Sequence, residues 1–278
     1  MKNLIKKLSP PILIDIYISI KSKSYGWKGD YPSWEDAQKD AVGYDSIEIL
    51  EKVKNSLLKV KNGEAVYERD SVLFDEVQYS WPLLSGLMFA AAKSHGKLNV
   101  LDFGGSLGST YYQNKKFLDN LDDVHWNIVE QKHFVDVGKK EFEDERLKFF
   151  YNIDECMEKK KPNVLVLSSV LQYMEKPYAL LEELLVFEFE FLIIDLTPVS
   201  LKKRELLTIQ KVNPSIYNAK YPCWILDSKK LEIVFSKYGY EKIEEFKSLN
   251  GFEVKNEQNI TIGKYIGEIR IKNDKKNT

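Results

Sequence analysis

Apolar positions along this 278-residue chain follow two periods, and the switches between them mark its elements. Five short apolar runs stand at Asn99 to Phe103, His125 to Glu130, Leu147 to Tyr151, Asn163 to Ser169 and Phe189 to Leu196. Near-continuous apolar runs of this length suit strands buried on both faces. The stretches between them have helical spacing: Tyr111 to Leu121, a charged segment ending at Glu145, Ile153 to Lys159, and a segment after Pro177 carrying Leu180, Leu181, Leu184 and Leu185. Strands alternating with helices predict an α/β fold with a parallel, right-handed, doubly wound sheet. A helix from Ser228 to Tyr238 and two closing strands, Ile243 to Leu249 and Tyr265 to Lys272, complete the pattern.

Ahead of this unit the pattern is helical but broken. Ser33 is set to cap a helix that opens at Trp34, with Glu35 and Asp36 in its first turn. Asp45 and Glu48 form a capping pair for a helix with Ile47, Leu50, Val53 and Leu57 on one face, closed at Gly63. Pro82 opens a third helix that stops at Gly96. Between the last two, Tyr67 to Trp81 is dense in charges and rings without a clean period. It reads either as a solvated turn beside a short helix or, through Arg69, Asp75, Gln78, Tyr79 and Trp81, as a lid over a polar ligand. Met1 to Lys23 holds an apolar run, Ile12 to Ile20, between Lys6-Lys7 and Lys21/Lys23, too short for a membrane span. Asp15 inside it and the missing A-x-A site argue against a signal peptide. It reads as a first element docked on the domain or as a peripheral membrane anchor. The pattern thus divides into an N-terminal helical extension or lid at 1–96, a sheet domain at 97–272 and a disordered tail at 273–278.

Composition narrows the partners. Forty-one basic against 42 acidic residues leave a net charge of -1, so no basic face for nucleic acid is expected. With 44% hydrophobic and 30% charged residues the chain reads as soluble. Its two cysteines, Cys156 and Cys223, suit a reducing cytoplasm. His95, His125 and His133 lack ligand spacing, so no metal site is expected.

The chemistry concentrates where the first run breaks, at Asp102-Phe103-Gly104-Gly105-Ser106-Leu107-Gly108-Ser109. A strand that ends in glycines before a helix leaves backbone N–H groups and a positive helix end beside the loop, open to close approach by a ligand. The glycines miss the G-x-G-x-x-G spacing of dinucleotide sites, and no G-K-[ST] follows. An acid two places before the first glycine suits an ammonium and a sulfonium, and suits a pyrophosphate poorly. Glu130 closes the second strand 22 positions after Gly108, where such folds place an acid that binds ribose hydroxyls. Asp154, just past the third strand, reads as a contact for an adenine amino group or as a solvated surface acid. Ligands of doubly wound sheets lie outside the carboxyl ends of the strands, which collects Asp102, Gly104, Glu130, Ser168, Ser169 and Asp195 along one edge. Pro214 to Trp224 reads as a loop crossing that edge.

On these residues the chain resembles class I S-adenosylmethionine (SAM)-dependent methyltransferases over about Leu98 to Lys272, through D-x-G-x-x-x-G at Asp102 to Gly108 and the closing strand pair. More narrowly, it resembles a bacterial family of methyltransferases associated with surface-polysaccharide or cell-envelope biosynthesis. The segments that carry this are Tyr67 to Leu84 (YERDSVLFDEVQYSWPLL), Leu101 to Ser109 (LDFGGSLGS), Val129-Glu130-Gln131, Ser168 to Tyr173 (SSVLQY) and Pro214 to Trp224 (PSIYNAKYPCW). The resemblance implies a Rossmann-like class I methyltransferase fold, a mostly parallel seven-stranded sheet with an N-terminal helical extension. It implies SAM as cofactor, with Asp102, Gly104 and Gly108 at the methionine end, Glu130 at the ribose, Asp154 at the adenine and Ser168 near the sulfonium. Gly105 and Ser169 join that cofactor-binding set, and Ser106 stands where the usual form has another glycine. No [DN]-P-P-[FY] follows the fourth strand, which turns the expectation to O-methylation of a small polar or sugar-containing acceptor. Gln172, Tyr173, Asp195, Tyr217 and Tyr221 are the acceptor-side candidates. Two other readings share the fold: a non-catalytic ligand-binding or scaffold protein, and an NAD(P)-linked nucleotide-sugar enzyme, against which the glycine spacing and Asp102 both count.

Overall fold

A computed structural model describes residues 26–41, 47–212, 219–248 and 253–273. The apolar run at 12–20, the Asp45 cap and Tyr217 lie outside the described residues. The first described strand, β1 (Gly26–Lys28), is followed by α1 (Trp34–Asp40), α2 (Ile47–Lys61), β2 (Tyr67–Arg69), β3 (Val72–Phe74) and α3 (Trp81–Lys93). Strand and helix then alternate as their periods predict: β4 (Lys97–Phe103), α4 (Ser109–Leu118), β5 (Asp123–Val129), α5 (Lys132–Glu141), β6 (Leu147–Phe150), α6 (Ile153–Lys160) and β7 (Val164–Ser168). After a 3-10 turn (Leu171–Tyr173) come α7 (Pro177–Leu185), β8 (Phe191–Ser200), β9 (Leu206–Lys211), β10 (Lys220–Ile225), α8 (Ser228–Lys237), β11 (Tyr240–Lys247), β12 (Glu253–Lys255) and β13 (Thr261–Lys272). Local chemistry sets several helix starts. Ser33 Oγ accepts the Asp36 N–H at 3.1 Å, Asn152 accepts that of Glu155, and proline stands in the first turn of α3 and α7.

The main sheet runs β11-β13-β8-β7-β4-β5-β6, with β12 paired on β13. Strands β4 to β8 are mutually parallel, and β13 is antiparallel to both β8 and β11. Successive residues of the central strands enter opposite cores. Val164 and Val166 pack with α2 to α5, Leu165 and Leu167 with α6 to α8, and Phe191/Ile193 against Leu192/Ile194 repeat the division. Two buried faces are why these strands show no polar alternation. Among the described residues no helix is long and apolar enough to cross a membrane.

Three segments depart from the sequence pattern. Tyr67 to Phe74 is neither turn nor helix but the antiparallel hairpin β2–β3, closed by Asp70 and Ser71 at φ of +51° and +65°, a two-residue left-handed turn. Strands of three residues are too short to display a period. The end of the segment predicted as a loop, Lys220 to Trp224, belongs to β10, which pairs with β9, which in turn pairs with β1 in a separate three-stranded antiparallel sheet. Gly26 and Lys211 are partners there, a pairing no local pattern announces. Finally β8 continues to Ser200 through a bulge. Ile194 pairs with Glu268 and Thr197 with Ile266, so Asp195 and Leu196 together face Gly267, with Leu196 at φ +51°. Such bulges re-aim side chains beside functional sites.

A Cβ on Gly267 would stand 2.8 Å from the Ile194 carbonyl oxygen and 2.2 Å from the Phe246 ring. Gly267→Ala is therefore expected to cost about 1–3 kcal/mol of stability, read as a lower urea midpoint at constant slope. An unchanged midpoint would show that the bulge does not require this close approach.

Candidate functional site

The carboxyl ends of β4, β5, β7 and β8 open on one cavity of about 710 Å³, within the roughly 300–1,000 Å³ common for small-molecule sites. Its floor is Asp102, Gly104, Gly105 and Ser106 after β4, Glu130 after β5, Ser168 and Ser169 at the end of β7, and Asp195 and Leu196 at the bulge. Its roof and sides come from the β2–β3 hairpin (Glu68, Arg69, Asp70), the segment Gln78 to Leu83, the start of α4 (Ser109, Thr110, Gln113), Tyr173, Tyr221, Lys247 and Ser248.

Of the residues predicted from sequence, Asp102, Gly104, Gly105, Glu130, Ser168, Ser169, Tyr173, Asp195 and Tyr221 line this cavity. Three do not. Gly108 caps α4 from behind the turn, and Asp154 is exposed in the first turn of α6, away from the wall. Gln172 is fully buried beneath it, donating from Nε2 to Ser169 Oγ at 3.2 Å and to the Leu196 carbonyl at 3.1 Å. It therefore props two floor residues rather than facing the cavity. Of the lid residues, Arg69, Gln78, Tyr79 and Trp81 line the cavity and Asp75 does not. Glu68, Asp70, Ser80, Ser109, Gln113, Lys247 and Ser248 were not singled out. They come from elements whose approach to the edge is tertiary, and only the family-like segments Tyr67 to Leu84 and Leu101 to Ser109 signalled any of them.

The glycine turn is shaped by what it touches. A Cβ on Gly105 would lie 2.5 Å from the Asp102 carboxyl, so only glycine lets the turn fold back over that side chain. Ser106 adopts φ +53°, a left-handed conformation in which glycine would be unstrained. Ser169 at φ +57° and Leu196 at φ +51° share it, so three strained floor residues gather around one cavity.

Buried carboxyls dominate the electrostatics. Asp102 is 1% exposed and accepts the Trp126 Nε1–H at 3.1 Å. Loss of hydration pushes its pKa up to about 7, opposed by that hydrogen bond and reinforced by the charge of Glu130. Glu130 is also raised by burial, against N–H groups of Gln131 and Ser106 that favour its charged form. Asp195 is raised by burial too, while Ser248 and Ser80 hydroxyls and the Leu196 N–H all donate to it. In the hairpin, Glu68 Oε2 accepts from Ser109 Oγ and Oε1 from the Ser71 N–H, both at 2.6 Å, and burial raises its pKa. Gln113 Nε2 adds bonds to Tyr67 Oη at 3.0 Å and to the Gln78 carbonyl at 2.6 Å. These contacts lash the hairpin to the helix that follows the glycine turn. On the opposite side Tyr173 Oη donates to Gln210 at 2.9 Å, and its ring meets Tyr221 edge-on at 5.1 Å.

No family model matches the chain, and no curated protein matches it. Solved structures do. Magnesium protoporphyrin IX methyltransferase from Synechocystis PCC 6803, with bound S-adenosylhomocysteine (SAH), is 10% identical over 69% of this chain and 82% of its own, at a TM-score of 0.43. The N-terminal domain of EvdMO1, in the presence of SAH and D-fucose, is 12% identical over 84% of this chain and all of its own, at 0.46. The glycopeptide N-methyltransferase MtfA complexed with sinefungin is 10% identical over 68% of this chain and 94% of its own, at 0.43. The strand order itself, with β13 running antiparallel between β8 and β11, is the mostly parallel, Rossmann-like α/β arrangement expected from the sequence.

Asp102 makes stability depend on pH in a definite direction. Its carboxyl titrates near 7 when folded and near 4 when unfolded. Between those values the folded chain keeps a proton that the unfolded chain has lost, so this group lowers stability as pH rises through the window. Asp102→Asn retains an acceptor for Trp126 and removes that loss. The variant should melt a few degrees above wild type at pH 8, with the gap closing towards pH 4. Equal melting at pH 8 would contradict a buried, reluctantly ionised Asp102.

Proposed function

We propose that the chain is a SAM-dependent O-methyltransferase acting on a small polar or sugar-containing metabolite in surface-polysaccharide biosynthesis. One observation carries the reading: Asp102, the Gly104-Gly105 turn and Glu130 meet at the carboxyl ends of adjacent strands on the wall of a ligand-sized cavity. The residues fit the cofactor. The space a side chain at Gly105 would occupy is filled by the Asp102 carboxyl, so a cation resting on the turn would draw that carboxyl into its charged form. That favours an ammonium and a sulfonium and disfavours the pyrophosphate of a dinucleotide. Glu130, one strand over, suits a pair of ribose hydroxyls.

When bound, SAM supplies an electrophilic methyl group on sulfur. The protein's part is to hold the acceptor in line and keep water out. Trp81 and the Tyr173–Tyr221 pair enclose the side of the cavity where an acceptor would enter. Asp195 has its oxygens engaged by Ser80, Ser248 and the Leu196 N–H, so its role there is to fix the acceptor wall. An oxygen acceptor is supported by the serines at the end of β7, which stand in place of the [DN]-P-P-[FY] sequence associated with methylation of amino groups.

The test is calorimetric titration of the purified protein with SAM and SAH, with NADH and NADPH as controls. Micromolar binding of the first pair is expected, and Asp102→Ala should weaken SAM about 10–100-fold, the scale of a lost charge-assisted contact. Binding of NADH or NADPH instead, or of none of the four, would overturn the reading. Label transfer from methyl-labelled SAM to sugars and sugar nucleotides then identifies the acceptor.

A further inference from the structure

The cavity wall carries six carboxylates, Glu68, Asp70, Glu76, Asp102, Glu130 and Asp195, against two cations, Arg69 and Lys247. SAM brings two positive groups and one negative group, its methionine carboxylate. The positive groups have acids to spare; the carboxylate has a choice of two partners. Arg69 differs from every other arginine of the chain. Arg146 pairs with Asp119 at 3.0 Å, Arg204 with Asp30, and Arg270 with Glu268 at 2.6 Å and with Glu232. Among the described residues the Arg69 guanidinium forms no ion pair; it lies over the Phe74 ring, 5.5 Å from the centroid. Neighbouring Glu68 is engaged by Ser109 and Ser71.

Position agrees with charge. Arg69 ends β2, the strand whose Tyr67 and Glu68 are bonded to Gln113 and Ser109 of α4. Since α4 starts directly after the glycine turn, the hairpin holds Arg69 at the turn's edge of the cavity. Lys247 is exposed at the far end of β11 and offers a single point charge. A guanidinium fork matches a carboxylate through two parallel hydrogen bonds, and stacking on Phe74 pre-orients it while leaving its N–H edge free. Building on the cofactor reading above, we propose that Arg69 binds the methionine carboxylate of SAM, making hairpin β2–β3 the wall that selects the amino-acid end of the cofactor.

Two nucleosides separate this role from a general one. SAH carries the amino-acid tail; 5′-methylthioadenosine has the same adenosine and thioether without it. Calorimetry on Arg69→Gln should show SAH weakened about 10–100-fold and 5′-methylthioadenosine unchanged, with Arg69→Lys in between. Unchanged SAH affinity overturns the proposal, as does a tail-specific loss in Lys247→Gln in place of Arg69→Gln. Equal loss of both nucleosides in Arg69→Gln also overturns it, since Arg69 would then act through the hairpin's fold. If wild type binds neither nucleoside, the cofactor reading falls, and this one with it.

Discussion

Asp195 accepts hydrogen bonds from three parts of the chain at once, and these bonds tie one corner of the cavity together. Ser80, at the N-terminal cap of α3, spends its hydroxyl on this carboxylate rather than on its own helix. Ser248, just past β11, donates to the other oxygen, as does the Leu196 N–H that the bulge turns inward. A carboxylate this buried is tolerable only when such donors replace water. The sheet's carboxyl edge is thereby tied to the segment that precedes it and to the strand pair that closes the chain. Gln172 supports the same corner from below, holding Ser169 and Leu196 in left-handed conformations they would not choose alone.

The net charge of -1 is spread unevenly. Glu68, Asp102, Glu130 and Asp195, all on the cavity wall, are each raised by loss of hydration. A cationic ligand entering among them would favour their charged forms and release protons, while a phosphate would meet like charge. The same burial that makes these carboxyls costly to the empty protein makes them effective towards a cation, a trade common at functional sites.

Enclosure comes from pieces that are remote in sequence. Hairpin β2–β3 is lashed to α4, and the β1-β9-β10 sheet stands beside Tyr173 through the Gln210 hydrogen bond and the Tyr221 ring. Trp34 of α1 stacks on Trp224 of β10 at 6.4 Å, which docks the described N-terminal part on this second sheet. Each of these contacts joins an element of three to seven residues to a partner remote in sequence.

The doubly wound sheet was legible in the residues themselves, because a strand buried on both faces must be apolar at successive positions, as Val164 to Leu167 are. The glycine turn was legible too: Gly105 lies so close to the Asp102 carboxyl that no larger residue fits, and that need is written in the sequence. The gathering of strand ends into one edge followed from topology, which is why Asp102, Glu130, Ser168 and Asp195 share a cavity. Only the tertiary structure decided that Gln172 lies under the floor, that Asp154 faces away, and that Glu68, Ser80 and Ser248 converge on the site. Hairpin β2–β3 and the β1-β9-β10 sheet belong to the same class, their strands short and their partners up to 185 positions apart. Periodicity reports which face of an element is buried; it is silent on what covers that face when the cover is a distant segment, because the contact then depends on chain reversal rather than on local spacing.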